Sequence, residues 1–101
     1  MNYKILWSYS ANKSYFDELE FIFKKWNQNQ VIIFEYLVEI ALNRLKINPL
    51  LVIYAKQFQL YFLVISKQTK LYYRINIKTQ SIELILFWNN LKNPADLIKL
   101  L

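Results

Sequence analysis

The chain has no cysteine, no histidine and no glycine, and only two prolines and two arginines among 101 residues. Without cysteine there is no disulfide framework, no thiolate metal site and no thiol nucleophile. That usage fits a reducing compartment. Without histidine, the commonest general base and the commonest metal ligand are both missing. Acid–base chemistry would fall to Asp, Glu, Lys or Tyr. Without glycine no Gly-rich phosphate loop can form. Tight two-residue hairpins want positive φ, so Asn must supply it or the turns must take other forms. Long apolar runs are missing too. Glu35 and Glu39 interrupt residues 31–42, and Lys56, Gln57 and Gln59 interrupt residues 50–65. Neither stretch reaches the roughly 20 apolar residues of a membrane helix. Met1-Asn2-Tyr3-Lys4 leads into an apolar stretch too short for a targeting signal, with no small-residue cleavage site. These absences predict a cytoplasmic protein with no membrane partner, forming one domain over residues 1–101.

Apolar and aromatic residues are plentiful, at 55% and 18%, so a chain of this length can bury a core without staples. Thirteen Lys and Arg oppose seven Asp and Glu, a formal charge of +6. Such a surplus favours nucleic acid, anionic lipid or an acidic protein as partner. A solubility charge carried by AT-rich codons explains the same excess of Lys, Asn, Ile, Tyr and Phe.

Residues 3–9 are rich in β-formers and read as a strand. Ser14 has the position of an N-cap, with Asp17 where a capping-box acid stands. Phe16, Leu19, Phe23 and Trp26 then mark one helix face. Asn27-Gln28-Asn29 is a short polar break. A second helix runs from about Gln30 to Lys46 on Phe34, Val38, Ala41 and Leu45, widened by Leu37 and Ile40. Asn48-Pro49 ends it. So short a break predicts an antiparallel helical hairpin. Residues 60–66, 70–78 and 81–88 read as three strands. Asn93 and Pro94 suit the cap and first position of a last helical turn over 95–101. The fold class is α+β: strand, helical hairpin, then a three-strand antiparallel meander, with the helices on one sheet face.

Pairing Lys67 with Lys70 and Lys78 with Ser81 sorts the strands onto two faces. One carries Leu60, Phe62, Val64, Leu71, Tyr73, Ile75, Ile77, Ile82, Leu84, Leu86 and Trp88, and is predicted to meet the helices. The predicted core is Phe16, Leu19, Phe23, Phe34, Val38, Ala41, Tyr73, Ile75, Leu84 and Leu86. The other face carries Tyr61, Leu63, Ile65, Lys67, Lys70, Tyr72, Arg74, Asn76, Glu83, Ile85 and Phe87. Its apolar members form a patch of the kind that marks a protein interface.

Val64-Ile65-Ser66-Lys67-Gln68-Thr69-Lys70-Leu71-Tyr72-Tyr73-Arg74-Ile75 resembles the central hairpin of the RelE/ParE toxin superfamily, where a basic turn leads into a Tyr-Arg-apolar strand. The segment from Ile82 to Pro94 resembles that family's last strand and tail. Lys24-Lys25-Trp26-Asn27 and Leu45-Lys46-Ile47-Asn48-Pro49 resemble the ends of its two helices, and residues 3–9 its first strand. The resemblance covers nearly the whole chain in order. It implies the toxin of a type II toxin–antitoxin pair, with a cognate antitoxin as partner. Operator DNA would be met only through that antitoxin. ParE-like members inhibit DNA gyrase; RelE-like members enter the ribosome and cleave mRNA. RelE-like nucleases use a cluster of Lys and Arg, often with a C-terminal Tyr or His. This chain has Arg44 and Arg74 alone, no His, and Leu91 followed by Lys92 where relatives often carry Arg. That departure favours a gyrase-type protein target, with the ribosome-dependent endoribonuclease and an inactive RNA- or protein-binding module as the alternatives.

Tyr61, Leu63, Ile65, Lys67, Lys70, Tyr72, Arg74, Ile85, Phe87, Asn90 and Lys92 are the expected antitoxin- or target-binding residues. If the chain is an enzyme, Lys67, Lys70, Tyr72 and Arg74 are the candidates for catalysis. Arg74 can hold a phosphate bidentately or form an ordinary pair with Glu83, diagonal to it. Lys67, Lys70 and Tyr72 suit a stacking platform for single-stranded RNA, or a solvated turn with cross-strand aromatic partners. Glu35 and Glu39, like Asp17, Glu18 and Glu20, read as solvated helix faces rather than catalytic or metal-binding carboxylates. No cofactor or metal is expected.

Overall fold

A computed structural model describes residues 2–50 and 53–101. Met1, and Leu51 and Val52 within the apolar stretch 50–65, lie outside the described residues. The elements are β1 (Lys4–Trp7), α1 (Tyr9–Lys25), α2 (Gln28–Ile47), β2 (Ile53–Ala55), β3 (Leu60–Val64), β4 (Thr69–Asn76), β5 (Ser81–Asn89) and α3 (Pro94–Leu100). The strands make one sheet in the order β1-β5-β4-β3-β2. The meander β3–β4–β5 is antiparallel as expected, and β1 runs parallel to β5. β2, which pairs with β3, is absent from the sequence reading. Three residues are too few to display a period of two. No helix among the described residues is long and apolar enough to cross a membrane.

Helix α1 begins earlier than expected. Its cap is Ser8, whose side chain accepts from the Ala11 N–H at 3.0 Å. Ser14 lies inside the helix. It donates to the Ser10 carbonyl at 2.6 Å and accepts from the Phe87 N–H at 2.9 Å. The buried face also differs. Ala11, Ile22 and the carboxylate of Glu18 are buried, with Tyr15 and Leu19 packed beside them. Phe16 and Phe23, predicted core, are 62% and 51% exposed. The stripe 11-15-18-22 is interrupted by an acid, so apolar periodicity passes over it. Helix α2 follows the prediction. Asn27 caps it, and Val31, Phe34, Val38, Ala41 and Leu45 are buried. In α3, Asn93 caps and Pro94 opens the helix, as expected.

Two hairpin loops are longer than the sequence pairing assumed. Val64, not Lys67, faces Lys70, and the loop is Ser66-Lys67-Gln68. An odd displacement puts every β3 side chain on the other face. Asn76, not Lys78, faces Ser81. That displacement is even, so faces are kept until an irregularity between Tyr72 and Tyr73, which pair with Leu86 and Leu84. Ile85 is the extra residue of this bulge. Beyond it the alternation reverses. Helix α1 supports the bulge: Ser8 Oγ donates to the Ile85 carbonyl at 3.3 Å, and Ser14 receives the Phe87 N–H. Two hairpin turns contain a left-handed residue in a chain without glycine, with φ 55° at Gln59 and 52° at Gln80. Gln59 belongs to the β2–β3 turn and Gln80 to the β4–β5 turn; glutamine, not asparagine, takes the left-handed place.

The sheet buries side chains on both faces. Tyr61, Leu63, Ile65, Leu71, Tyr73, Ile75, Ile82, Leu84 and Phe87 meet α1 and α2. Leu60, Phe62, Tyr72, Ile85, Leu86 and Trp88 lie on the outer face with Leu97 of α3. The predicted helix-side places of Leu60, Phe62, Leu86 and Trp88 are therefore corrected, and Ile77 is an exposed loop residue. Of the predicted core, Leu19, Phe34, Val38, Ala41, Tyr73, Ile75 and Leu84 belong to the helix side, while Leu86 is buried under α3.

Candidate functional site

The strip predicted for partner binding is not one surface. Tyr61, Leu63, Ile65 and Phe87 face the protein's own helices, because of the β3 displacement and the β5 bulge. Tyr72 is only 4% exposed and packs with Ile85 in the outer cluster. Burial raises the Tyr72 hydroxyl above the usual tyrosine range. A phenol so held is poorly suited to proton transfer near neutrality. Lys70 sits with its ammonium 4.8 Å from the centre of the Phe62 ring. Arg74 is exposed, directly opposite Glu83 rather than diagonal to it, and 3.2 Å from its carboxylate. An exposed pair of this kind contributes roughly 0–1 kcal/mol. Lys67 is exposed at the β3–β4 turn. Asn90 and Lys92 are exposed beyond β5, where the Asn90 N–H donates to the Gln68 carbonyl at 2.7 Å. The outer face of β4 thus gathers Lys70, Tyr72 and Arg74, with Lys67 off its end.

A groove that the sequence reading did not identify lies between α2 and β3. Leu37, Ile40, Arg44, Ile47, Leu63 and Val64 line about 590 Å³ of it. Leu37 also lines a second hollow of about 480 Å³, beside Trp26, Ile33, Ser66 and Lys67. The signal was present: Ile33, Leu37, Ile40, Arg44 and Ile47 recur at spacings of four and three. The walls are apolar and the charges on the two hollows, Arg44 and Lys67, are both positive. Ser66 Oγ is shielded from solvent there and has no hydrogen-bond partner among the described residues.

A buried polar cluster fixes the end of the sheet near this turn. Glu18, 3% exposed, accepts from the Thr69 hydroxyl and from Asn89 Nδ2, at 3.2 and 3.1 Å from its two oxygens. Asn89 Oδ1 accepts the Leu91 N–H at 2.8 Å. Thr69 and Asn89 are cross-strand partners. One helix carboxylate therefore ties α1 to β4, β5 and the tail that carries Asn90 and Lys92. The expectation of a solvated Glu18 is corrected. Among the described residues no group of three or more His, Cys, Asp or Glu could hold a metal ion.

No protein-family model and no curated protein sequence matches the chain. The five-strand sheet, with a helical hairpin on one face and a short terminal helix on the other, is an α+β layered fold. Among solved structures, the chain is similar to one from the crystal structure of the toxin–antitoxin complex RelBE2 of Mycobacterium tuberculosis. The TM-score is 0.60 at 15% identity, covering 88% of this chain and 99% of that one. At that identity the likeness is one of fold.

Proposed function

We propose that the chain is the toxin of a type II toxin–antitoxin pair, acting in the cytoplasm and neutralised by a cognate protein antitoxin. The fold shared with a chain of a toxin–antitoxin complex, over 88% of this one, carries the reading. The groove between α2 and β3 supports it. An apolar channel along a helix suits an amphipathic segment, and Arg44 and Lys67 suit a segment bearing acids. Inhibition by contact, with a protein target of the gyrase type, needs no turnover residue. It agrees with a chain that has no histidine and whose Tyr72 is buried beside Phe58 and Phe62. Ribosome-dependent mRNA cleavage is the second reading, favoured by Lys70, Tyr72 and Arg74 sharing the outer face of β4. Lys67, Lys70, Arg74, Asn90 and Lys92 are the exposed or half-buried residues proposed to meet a target.

Induced expression of the chain alone is expected to arrest growth, and co-expression of a neighbouring short reading frame to restore it. Filamentation with DNA damage supports the gyrase-type target, and arrested translation the ribosomal one. Harmless accumulation at high level overturns the toxin reading. Within the pair, Ile40→Asp and Arg44→Glu are expected to weaken antitoxin binding at least tenfold while the melting point stays within a few degrees. Unchanged binding in both variants removes the groove from the proposal.

A further inference from the structure

Helix α2 separates two surfaces of opposite charge. One flank borders the groove with Arg44. On the other, Trp7, Tyr15, Glu35, Glu39, Asn43 and Lys46 line a hollow of about 260 Å³. The remaining acids of the chain all have structural roles. Asp17, Glu20 and Glu83 pair with Lys13, Lys24 and Arg74. Glu18 is held by Thr69 and Asn89. Asp96 occupies the first turn of α3, where the helix dipole favours an anion.

Glu35 and Glu39 are different. They are exposed, stand one turn apart on α2, and enter none of the ion pairs among the described residues. Like charges at that spacing repel. The chain has thirteen cations with which to relieve the repulsion. Lys46, the cation that lines the hollow, stands seven residues beyond Glu39, roughly 10 Å along the helix axis. Glu35 also bears on Tyr15, whose hydroxyl is raised by burial and then by that carboxylate. Two aromatic rings share the lining with Val38, Leu42 and Asn43, the Trp7 and Tyr15 rings standing edge to face at 5.4 Å. Carboxylates beside aromatic rings hold an organic cation, through charge-assisted hydrogen bonds and the ring quadrupole. The volume admits the end of a side chain. Between the two natural cations, guanidinium fits better, since its planar fork pairs bidentately with carboxylate and also stacks on rings.

We propose that this hollow seats an arginine side chain of a partner protein, its guanidinium held by Glu35 and Glu39 beside the Trp7 indole. The inference relies on the proposed function only for the existence of a protein partner. A segment crossing α2 then meets positive charge on one flank and negative charge on the other. Acids on one side of that segment and an arginine on the other fix the direction in which it lies. Only one of the two antiparallel orientations satisfies both flanks.

The test is titration of the full chain with N-acetyl-arginine amide and, at matched ionic strength, with its neutral citrulline analogue, followed by the indole N–H resonances. A saturable shift of the Trp7 resonance is expected with arginine and not with citrulline; Trp7→Phe assigns the signal. The double variant Glu35→Gln/Glu39→Gln is expected to bind arginine amide at least tenfold more weakly, with unchanged spectral dispersion. Equal responses to the two probes overturn the inference, as does undiminished arginine binding in the folded double variant. If that variant does not fold, the citrulline comparison on the unaltered chain decides. Arginine binding by a chain that proves harmless in cells keeps the inference and removes the toxin reading. A neutralised toxin whose hollow ignores arginine does the reverse.

Discussion

Replacing Asn89 with alanine removes the amide that donates to both oxygens of Glu18, and the carbonyl that receives the Leu91 N–H. Glu18 keeps only the Thr69 hydroxyl in a site 3% exposed. A hydrogen bond to a charged group is worth about 1.5–3 kcal/mol, and a buried acceptor left short of donors costs about 1–3 kcal/mol. Together with the loss of the tail contact, Asn89→Ala is expected to cost about 3 kcal/mol. At about 4–8 °C per kcal/mol for a chain near 100 residues, the melting point falls by roughly 12–24 °C. The triple variant Glu18→Leu/Thr69→Val/Asn89→Leu removes all three polar side chains at once, leaving only the Leu91 N–H without its Asn89 acceptor. It is expected to recover most of the loss, because apolar replacement of both partners of a buried bond is nearly neutral. Calorimetric melts of the single and triple variants measure this coupling. A single-variant loss below about 1 kcal/mol refutes the argument from hydrogen-bond loss. A triple variant less stable than Asn89→Ala refutes the claim that the loss comes mainly from leaving Glu18 short of donors.

Ile22→Ala is expected to cost about 2–5 kcal/mol and Phe23→Ala less than about 1 kcal/mol, as surface changes do; urea melts that reverse this order would contradict the assigned face of α1. Gln80→Gly is expected to stabilise by up to about 1 kcal/mol, since its φ of 52° strains any residue with a Cβ. A loss of stability would show that the Gln80 side chain contributes more than the turn strain costs. Burial raises the hydroxyls of Tyr15, Tyr72 and Tyr73 above the tyrosine value of 10.0, Tyr73 most. Their pKa values are raised in the folded state, so stability is full below about pH 10 and falls as pH rises beyond it, because the unfolded chain ionises first. Denaturation midpoints from pH 8 to 11 measure this, and Tyr73→Phe should flatten the alkaline fall.

Much of the architecture follows from local signals. The apolar period of α2, its end at Asn48-Pro49 and the Asn93-Pro94 start of α3 are all local, and all three agree with the structure. The ordered sequence features that resemble the RelE/ParE superfamily, from the β3–β4 turn to the tail, are also readable along the chain. So is the Ile33–Leu37–Ile40–Arg44–Ile47 stripe, once two apolar faces on one helix are looked for. What a chain lacks is settled by its sequence as well: no thiol, imidazole or Gly-loop chemistry is open to this one.

The facing of side chains was settled by tertiary structure. A hairpin pattern leaves loop length open by a residue or more, and an odd change sends Tyr61, Leu63 and Ile65 to the opposite face. The bulge at Ile85 reverses Leu86, Phe87 and Trp88, and it is supported by serines more than seventy residues away in sequence. Helix α1 buries Glu18 rather than Phe16 because Thr69 and Asn89 wait across the sheet end to receive it. Apolar periodicity measures how much a residue avoids water. It carries no record of a hydrogen-bond partner fifty residues distant, and such partners decided which face of α1, and which face of the sheet, became the inside.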